Sequence, residues 1–382
     1  MKTLAIIGGG WVASYYGKNA KEMGIKTVAF SLKSGVADVN AFDKLYEVDI
    51  LNFAKLLEIC RKEKVDGVVP TTELTIASAA YVAKEMKLVG IPYGVATEIT
   101  NKYRNRNAVK DIKELKNPQY SEINSFQELE ELDFQFPIIL KPTSKGGKRG
   151  VVVVNNKNEL KNAFDYTLKD SGNTLPIIVE EYVEGDMECS VESISYKGKN
   201  YIIQITEKWT SGAPHCVELG HHQPANISEQ MRSSVIQAVD KGLSAIGIEN
   251  GVCHTEIKIK GKDIFLIEFN ARPGGDHISY PLVDLSTGYP YLKEAIRVAL
   301  GEFKPPVIEE AKAKYAGIIL ISEQTKKYEP LFEKCEQYKW CYEKHKVSNT
   351  LGTIVHNNSY GTNYFIYVDD ERPDFEKLIK EV

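Results

Sequence analysis

The segment LIEFNARPGGDH, residues 266–277, puts polar side chains at alternate positions of a stretch that otherwise resembles a buried strand. Its polar residues are Glu268, Asn270 and Arg272. Side chains two apart on a strand share a face, so a carboxylate, an amide and a guanidinium point the same way. This set is suited to a divalent cation beside a transferring phosphoryl group.

The stretch HTEIKIKGKDIF predicts that a second strand pairs with this one in a hairpin. A three-residue turn at Gly261–Asp263 keeps the apolar residues of both strands on one face and sets Glu256 opposite Glu268. At about 4 Å and an effective dielectric of about 20, two carboxylates repel by about 4 kcal/mol. We therefore expect a compensating cation, magnesium or manganese rather than zinc, since Asn270 adds a hard oxygen and no sulfur is aligned. The predicted apolar pairs are Ile257 with Ile267 and Ile259 with Phe265.

A glycine-rich loop, SKGGKRG, joins two predicted strands at residues 144–150. The loop lacks the fixed helix start of a GxxxxGK[ST] motif, but Lys145, Lys148 and Arg149 supply positive charge and its glycines supply freedom of movement. The pattern predicts a mobile lid over phosphates. An exposed basic hairpin is the alternative interpretation.

Lys141 interrupts the apolar strand PIILKP, a position where a lysine needs a partner. An α-phosphate or a purine nitrogen would serve. Glu180 and Glu181 end another strand, VEEYVEG, where they could accept the adenine amino group, and Glu188 could accept ribose hydroxyls. Ordinary surface charge is the alternative for each acid.

Alternating strand and helix patterns over residues 3–92 predict a doubly wound parallel sheet. A smaller unit follows, then longer antiparallel strands up to residue 270, and Pro305 and Pro306 mark a further boundary. We expect an N-terminal βαβ domain over 1–97, a central α+β domain over 98–304 and a small C-terminal α/β domain over 305–382. The central domain contains a lid subdomain at about 113–182.

The 382 residues carry a net charge of −4 with mixed signs, which argues against a nucleic-acid-binding surface. The six cysteines form no CxxC pair, so the sequence indicates neither a zinc site nor a disulfide framework. The apolar N-terminus is interpreted as strand rather than leader because three glycines and a helix pattern follow it. No apolar run reaches the roughly 20 residues of a membrane span. We expect a cytoplasmic protein that binds small molecules, with no nucleic acid or membrane partner, and a homodimeric assembly.

These elements in this order resemble the ATP-grasp superfamily, from the first strand to about Phe303 and most specifically from Lys102 to His277. The motifs ELGH, QPA, HTE and NARPGGDH are most similar to its L-amino-acid (dipeptide) ligase branch. The resemblance implies a two-lobe fold that grips ATP. It also implies a reaction that joins a carboxylate to an amine through an acyl phosphate, releasing ADP and phosphate.

The resemblance further implies roles for individual residues. Lys102 and Lys141 would bind the nucleotide, Glu188 the ribose, and Arg272 the transferring phosphoryl group. The phosphate loop would comprise Ser144, Lys145, Gly146, Gly147 and Lys148. The adenine contacts would be Glu180, Tyr182 and Val183. The ligands of magnesium or manganese would be Glu256, Glu268 and Asn270.

The sequence says less about the residues that bind the substrates than about those that bind the nucleotide. We expect the substrate carboxylate near Arg272 and the Gly274–Gly275 turn, where backbone N–H groups can approach an oxyanion. Asp276 or Glu73 would hold a substrate ammonium, Glu73 because it follows a parallel strand at its carboxyl end. Among the histidines of APHCVELGHHQPA, His222 is favoured for orienting substrate or the γ-phosphate.

Other functions fit parts of the pattern. Gly8, Gly10 and Ala13 satisfy a dinucleotide-binding turn, which suggests an NAD-dependent oxidoreductase. The acid expected at the end of the second strand is replaced by Phe30 and Ser31, which argues against that function. A biotin-carboxylase-like or purine-pathway-like carboxylation or formylation, and a non-catalytic nucleotide sensor, remain as alternatives on the same fold.

Overall fold

The computed structural model describes residues 1–144, 146–307, 314–356 and 359–381, which build three sheets. The strands are β1 (Thr3–Ile7), β2 (Lys26–Ser31), β3 (Lys44–Glu47), β4 (Gly67–Pro70), β5 (Tyr120–Ile123), β6 (Ile138–Pro142), β7 (Val152–Val154), β8 (Ile177–Glu181), β9 (Met187–Tyr196), β10 (Lys199–Thr210), β11 (Glu218–Gln223), β12 (Gly251–Lys260), β13 (Asp263–Asn270), β14 (Tyr315–Ile321), β15 (Cys341–His345) and β16 (Asn363–Asp369). The helices are α1 (Trp11–Glu22), α2 (Phe53–Glu63), α3 (Ile76–Met86), α4 (Tyr93–Glu98), α5 (Lys102–Val109), α6 (Phe126–Glu131), α7 (Leu160–Asp170), α8 (Glu229–Ile246), α9 (Val283–Thr287), α10 (Tyr291–Ala299), α11 (Glu329–Lys334) and α12 (Phe375–Glu381).

The N-terminal sheet is parallel, in the order β3-β2-β1-β4. Both faces of β1 are covered, because Leu4 and Ile6 pack with residues of α1 and α10 while Ala5 and Ile7 pack with residues of α2 and α3. A strand buried on both faces needs an unbroken apolar run, which is why TLAII is continuous rather than alternating. The carboxyl ends of β1 and β4 therefore meet at one edge of the sheet.

The glycine turn after β1 is shaped by close packing at this edge. Gly8 has φ +124°, and a Cβ there would lie 2.0 Å from the Thr71 hydroxyl oxygen. A Cβ on Gly9 would lie 2.7 Å from the hydroxyl oxygen of Ser31. The contacts with Thr71 and Ser31 account for the first two glycines without a bound dinucleotide.

The lid sheet is antiparallel, in the order β5-β8-β6-β7, and α6 and α7 cover its apolar face. Ile139 on β6 lies opposite Glu180 on β8, and Lys141 lies opposite Ile178. Lys141 and Glu180 are therefore diagonal neighbours on one face of the sheet, within reach of each other.

The third sheet has eight strands in the order β13-β12-β9-β10-β11-β14-β16-β15. The pairing of β11 with β14 carries it across the predicted boundary at residue 305. The C-terminal unit thus extends the central sheet and adds its own apolar clusters around β14 and β16. The domain limits drawn from the sequence stay predictions, but the last unit is joined to the central one by backbone hydrogen bonds.

The β12–β13 hairpin confirms the opposed carboxylates and corrects the predicted turn. Glu256 lies opposite Glu268, as predicted, but Lys260 pairs with Asp263, so the turn has two residues instead of three. Gly261 supplies the positive φ, +59°, that such a turn needs. A register shift after Glu256 makes up the difference, and Ile267 is the extra residue on β13.

This register shift overturns the predicted apolar pairs. Ile257 lies opposite Leu266, not Ile267, and Lys258, not Ile259, lies opposite Phe265. The apolar residues of β13 are consequently divided between the core, which takes Leu266 and Phe269, and a cavity described below, which takes Phe265 and Ile267.

The predicted fold class is confirmed, with a parallel N-terminal sheet followed by α+β units built on antiparallel strands. Across the described ranges, the helices are all too short or too polar to cross a membrane.

Candidate active site

A cavity of about 450 Å³ opens where the N-terminal sheet edge, the lid sheet and the eight-stranded sheet meet. Most residues predicted from the sequence line it. They are Glu73, Lys102, Lys141, Gly146, Gly147, Lys148, Glu180, Glu181, Tyr182, Val183, Glu188, Glu256, Glu268, Arg272, Gly275 and Asp276.

Among the described residues, the predicted ones that are not part of this lining are Ser144, Asn270, Gly274 and His222. Ser144 is exposed on the loop, and Lys145 lies outside the described residues. Asn270 is buried behind the wall, where its amide Nδ2 donates to Glu268 Oε1 at 2.8 Å. Gly274 also lies behind the wall, and a Cβ there would come within 2.7 Å of His254 Nδ1.

His222, the histidine favoured by sequence, points away from the cavity. Its Nδ1 lies 2.8 Å from the Tyr367 hydroxyl, and its ring packs 3.9 Å from the Trp209 ring, between β11 and the C-terminal strands. Burial lowers the pKa of His222 well below its ordinary value. The prediction for His222 is wrong, because alternation along β11 turns its side chain into the C-terminal packing.

Lys141 has an internal partner. Its Nζ lies 2.5 Å from Glu180 Oε2, and Arg106 Nε donates to the other oxygen of Glu180 at 2.6 Å. Burial opposes the charged carboxylate, but Arg106 and Lys141 outweigh it and lower the pKa of Glu180 to about 2. Glu180 therefore holds two cations at the cavity wall. Arg106 was missed by sequence analysis because a basic helix such as α5 gives no signal for which residue points inward.

The glycine-rich loop lies over the cavity through Lys148. Its Nζ forms a 3.0 Å ion pair with Glu188 Oε1, in which Glu188 is buried and Lys148 is partly buried. Burial disfavours the ammonium, yet Glu188, Glu256 and Glu218 raise the pKa of Lys148 well above its ordinary value. The carboxylate predicted to receive ribose hydroxyls is thus held by the lid lysine.

The lid end of the cavity also has apolar walls. Tyr182 packs with Ile139 and Val151 on the lid side, and the ammonium of Lys258 lies 4.8 Å from the centroid of the Tyr182 ring. Across the cavity, Phe265 and Ile267 supply the apolar surface that the hairpin shift turned outward. This slot has the flat apolar faces that a nucleobase needs.

The opposed pair Glu256 and Glu268 is compensated by lysines. Lys208 Nζ lies 2.6 Å from Glu256 Oε1, and Lys102 Nζ lies 2.8 Å from Glu268 Oε2. The argument that the pair requires a bound metal is therefore corrected, since two protein cations offset the repulsion. The donor set of two carboxylates and the Asn270 amide still fits magnesium, a cation that prefers hard oxygen ligands.

His254 and Lys208 are functional candidates that sequence analysis did not assign. His254 Nδ1 lies 2.6 Å from Glu192 Oε1 and its Nε2 lies 3.2 Å from Glu256 Oε1. Burial disfavours the charged imidazole, but Glu192 and Glu256 outweigh it and raise the pKa of His254 to about 9. Its position two residues before Glu256, on the same face of β12, was the available signal. Lys208, like Lys141, is a lysine buried within a strand, but Thr206 and Glu207 precede it, so no apolar run marked it.

Arg272 stands at the junction of the cavity with the N-terminal sheet. One terminal guanidinium nitrogen donates to the Glu73 carboxylate, and the other donates to the backbone carbonyl oxygen of Pro273 at 2.8 Å. Burial opposes the Glu73 carboxylate, but Arg272 lowers the pKa of Glu73 below its ordinary value. Glu73 is thus in the cavity, as predicted, with Arg272 as its partner.

An acidic corner lies beyond Arg272, formed by Glu218, His221 and Asp276, whose ligand atoms are all within 4.8 Å of one another. Ser359 of the C-terminal unit donates to Asp276, and Lys208 Nζ lies 2.8 Å from Glu218 Oε1. Burial and the nearby Glu218 carboxylate raise the pKa of Asp276. A carboxyl under this repulsion gains from an added cation.

The segment that carries most of these residues matches a known domain family. The family description "ATP-grasp domain" matches residues 134–280, which include the lid sheet, the Glu256–Glu268 pair and Arg272. The chain contains an ATP-grasp domain. This ATP-grasp protein is therefore an ATP-dependent enzyme of ligase type.

Relatives of this ATP-grasp chain have several activities. A formate-dependent phosphoribosylglycinamide formyltransferase from Prochlorococcus marinus is 26% identical over 281 residues, 71% of this chain and 70% of that one. The crystal structure of an L-amino acid ligase from Bacillus licheniformis superposes with a TM-score of 0.82 at 22% identity, covering 100% of this chain and 97% of that one. An N5-carboxyaminoimidazole ribonucleotide synthetase in its ADP complex has a TM-score of 0.78 at 18% identity, covering 100% and 96%. At these identities, the two structures share the fold.

Proposed function

We propose that the protein is an ADP-forming carbon–nitrogen ligase that joins the carboxylate of an amino acid or small acid to an amine. The observation that carries this proposal is the shared cavity, whose basic, apolar-walled end and acidic end meet at Arg272 and the Glu256–Glu268 pair. A ligase that activates a carboxylate with ATP gains from having both ends in one enclosure, because closure excludes the water that would hydrolyse an acyl phosphate.

The lid end is the proposed nucleotide site. The base would lie in the slot between Tyr182 and Ile267, with its ribose at Glu188. Lys148 and Lys102 would approach the phosphates as the glycine-rich loop closes. Each of these lysines has a carboxylate partner near the cavity. The phosphates of ATP would therefore replace that carboxylate as the anionic partner of each lysine.

Magnesium would be held by the carboxylates of Glu256 and Glu268, which line the cavity, together with the amide oxygen of Asn270 from behind its wall. When bound, it would neutralise phosphate charge. The protein cations now beside these carboxylates, Lys102 and Lys208, would then be available to phosphate oxygens.

Arg272 is assigned to the reacting groups. An oxygen of the substrate carboxylate attacks the γ-phosphorus, the bond from phosphorus to the ADP oxygen breaks, and an acyl phosphate forms. The amine nitrogen then attacks the acyl carbon, the carbon–oxygen bond to phosphate breaks, and the nitrogen gives up a proton. A bidentate guanidinium beside the Gly275 turn is suited to the negative charge that develops in both steps.

The charge of the far end favours a substrate that carries an ammonium group. Glu73, Glu218 and Asp276 line it around Arg272. Since Glu73 is already paired with Arg272 and Glu218 with Lys208, we assign the ammonium to Asp276. An amino acid has both the carboxylate for Arg272 and the ammonium for this corner.

A second candidate is the transfer of a one-carbon acid to a phosphoribosylated amine, and the 281-residue match to the formyltransferase favours it. A phosphoribosyl substrate would require cations at the far end. The cations there, Arg272 and Lys208, are already paired with Glu73 and Glu218, so this end is a poorer host for a substrate phosphate than for an ammonium group.

The decisive experiment is a paired screen of amino acids with ATP and magnesium, reading ADP and phosphate release and the mass of the product. We expect a substrate-dependent release of ADP together with an amide or dipeptide product. A parallel arm with formate and glycinamide ribonucleotide tests the second candidate.

Glu268→Gln serves as the inactive control for this screen, since it removes one predicted metal ligand without changing side-chain size. Formation of AMP and pyrophosphate would contradict the acyl-phosphate route. ADP release that is the same with and without substrates would identify an ATPase rather than a ligase.

A further inference from the structure

Two aromatic rings from opposite ends of the chain face the acidic end of the cavity. Trp11 begins α1 directly after the glycine turn, and Tyr360 lies in a short 3₁₀ turn, Ser359–Gly361, of the C-terminal unit. Both residues line the cavity, and their rings stack at 5.7 Å between centroids with an interplanar angle of 18°. We call this pair the aromatic wall.

The aromatic wall contacts the turn that carries Asp276, one residue of the acidic corner. Ser359 donates to the Asp276 carboxylate, and the Tyr360 ring lies 4.6 Å from the ring of His277. The backbone N–H of His277 also donates to the Tyr360 hydroxyl at 3.5 Å. The C-terminal unit therefore positions an aromatic ring beside the predicted ammonium site.

Trp11 is 36% exposed, although tryptophan has the largest side chain among the apolar residues. Trp11 is thus both partly exposed and part of the cavity lining, so an apolar group bound in the cavity can cover more of its ring. Covering it with an apolar group removes that surface from water, which is favourable.

We propose that the aromatic wall of Trp11 and Tyr360 receives the side chain of the amino-acid substrate and selects amino acids with a large apolar side chain. This inference rests on the proposed function, because it takes the ammonium at Asp276 as the anchor. With the ammonium at Asp276 and the carboxylate at Arg272, the side chain is the remaining group that can reach the wall.

The wall would have a different role if it received the nucleobase instead. The slot between Tyr182 and Ile267 at the lid end is the better site for a base, because Lys148 and Glu188 lie beside it. The test therefore measures nucleotide affinity separately from amino-acid affinity.

Isothermal titration calorimetry on the full chain, with magnesium and a non-hydrolysable ATP analogue present, gives the Kd of glycine, alanine, leucine, phenylalanine and aspartate. For the wild type we expect leucine or phenylalanine to bind about ten- to a hundredfold more tightly than glycine, the range that a few buried methylene groups provide. In Trp11→Ala and Tyr360→Ala, the ratio of the Kd of glycine to the Kd of leucine or phenylalanine should fall to about three or less.

Two further variants separate selectivity from structural damage. Tyr360→Phe keeps the ring and loses only the hydroxyl, so it should retain the wild-type ratio. Tyr342→Ala removes a tyrosine that is 48% exposed and lies outside the cavity lining, so it should also leave the ratio unchanged.

The outcomes distinguish this inference from the proposed function. One outcome is selective amino-acid binding that depends on the aromatic wall, with no amide product in the screen. This outcome would support the inference and contradict the proposed ligase activity. Ligation whose substrate preference is unchanged in Trp11→Ala would overturn the inference and leave the ligation. Loss of analogue binding in Trp11→Ala, or no amino-acid binding by the wild type, would also overturn it.

Discussion

Glu256 lies directly opposite Glu268 across the β12–β13 pair, and each carboxylate has its own lysine. Lys208 approaches from β10 and Lys102 from the first turn of α5, so one lysine comes from within the sheet and one from outside it. Without ligands, the centre of the cavity is a balanced set of charges. Adding magnesium and ATP to such a set rearranges ion pairs that already exist, which lowers the cost of bringing more charge into a buried site.

The first prediction concerns Glu268→Gln. We expect a fall in kcat of at least about a hundredfold, since a ligand of the predicted metal is lost. The variant should also lose about 1–3 kcal/mol of unfolding free energy, because the buried Lys102 ammonium loses an ion-pair partner at 2.8 Å. Steady-state kinetics and urea denaturation check both effects. Asp263→Asn on the same strand, which removes an exposed pair with Lys116, is the matched control and should leave kcat unchanged.

The second prediction concerns the Glu180 cluster. Glu180→Gln leaves Arg106 and Lys141 buried with no carboxylate between them, so we expect a loss of about 3–5 kcal/mol in unfolding free energy. Glu181→Gln, at the next position on β8, should cost less than about 0.5 kcal/mol. Urea denaturation of the two variants gives the comparison. Equal stabilities would mean that the cluster is not a structural anchor of the lid.

The third prediction is a pH dependence that arises at Asp284 in α9. Burial raises the pKa of Asp284 to about 7, although the Tyr291 N–H donates to its carboxylate at 3.0 Å. A carboxyl with a raised folded-state pKa is stabilising below about pH 4, and that stability is lost as the pH rises through 7.

Asp284→Asn removes this charge and keeps an oxygen for the Tyr291 N–H. Its stability should equal that of the wild type near pH 4 and exceed it by about 1–2 kcal/mol at pH 8, after allowing for partial exposure. Denaturation midpoints measured between pH 4 and pH 8 test this difference. A constant difference across that range would assign the effect to packing rather than to ionisation.

The fourth prediction concerns the glycine-rich loop. Peptides that cover residues 144–150 should exchange amide hydrogens rapidly without nucleotide and at least about tenfold more slowly with ATP and magnesium, because closure fixes the backbone over phosphates. Helix α7 in the same lid is the internal reference and should change little. Lys148→Gln should weaken both ATP binding and the protection of the loop.

The fifth prediction concerns the pair of Arg272 and Glu73. Arg272→Lys should lower kcat more than it alters KM, because a lysine cannot keep both the contact to Glu73 and a second donor for the reacting phosphoryl group. Glu73→Gln should lower kcat as well, by releasing Arg272 from its position. The double variant should lose less than the sum of the two single losses, by about 1–2 kcal/mol in kcat/KM. Strict additivity would show that the two residues act independently.

The sequence by itself determined features that are local in the chain. Glu256 and Glu268 belong to one hairpin, so the period of two along a strand and a short turn suffice to oppose them. The need of Lys141 for a partner likewise follows from its place in an apolar strand. Even here, the two-residue turn and the bulge at Ile267 changed the pairing of the apolar residues, because turn length is decided by backbone geometry that the apolar pattern does not encode.

Only the tertiary structure decided which distant groups meet. Arg272 and Glu73 are 199 residues apart, and Arg106 and Glu180 are 74 apart. His222 turned into the C-terminal packing, while Tyr360 of that unit reached the cavity. These outcomes depend on how separate sheets pack, and packing is set by the shapes of whole surfaces rather than by the spacing of residues along one strand.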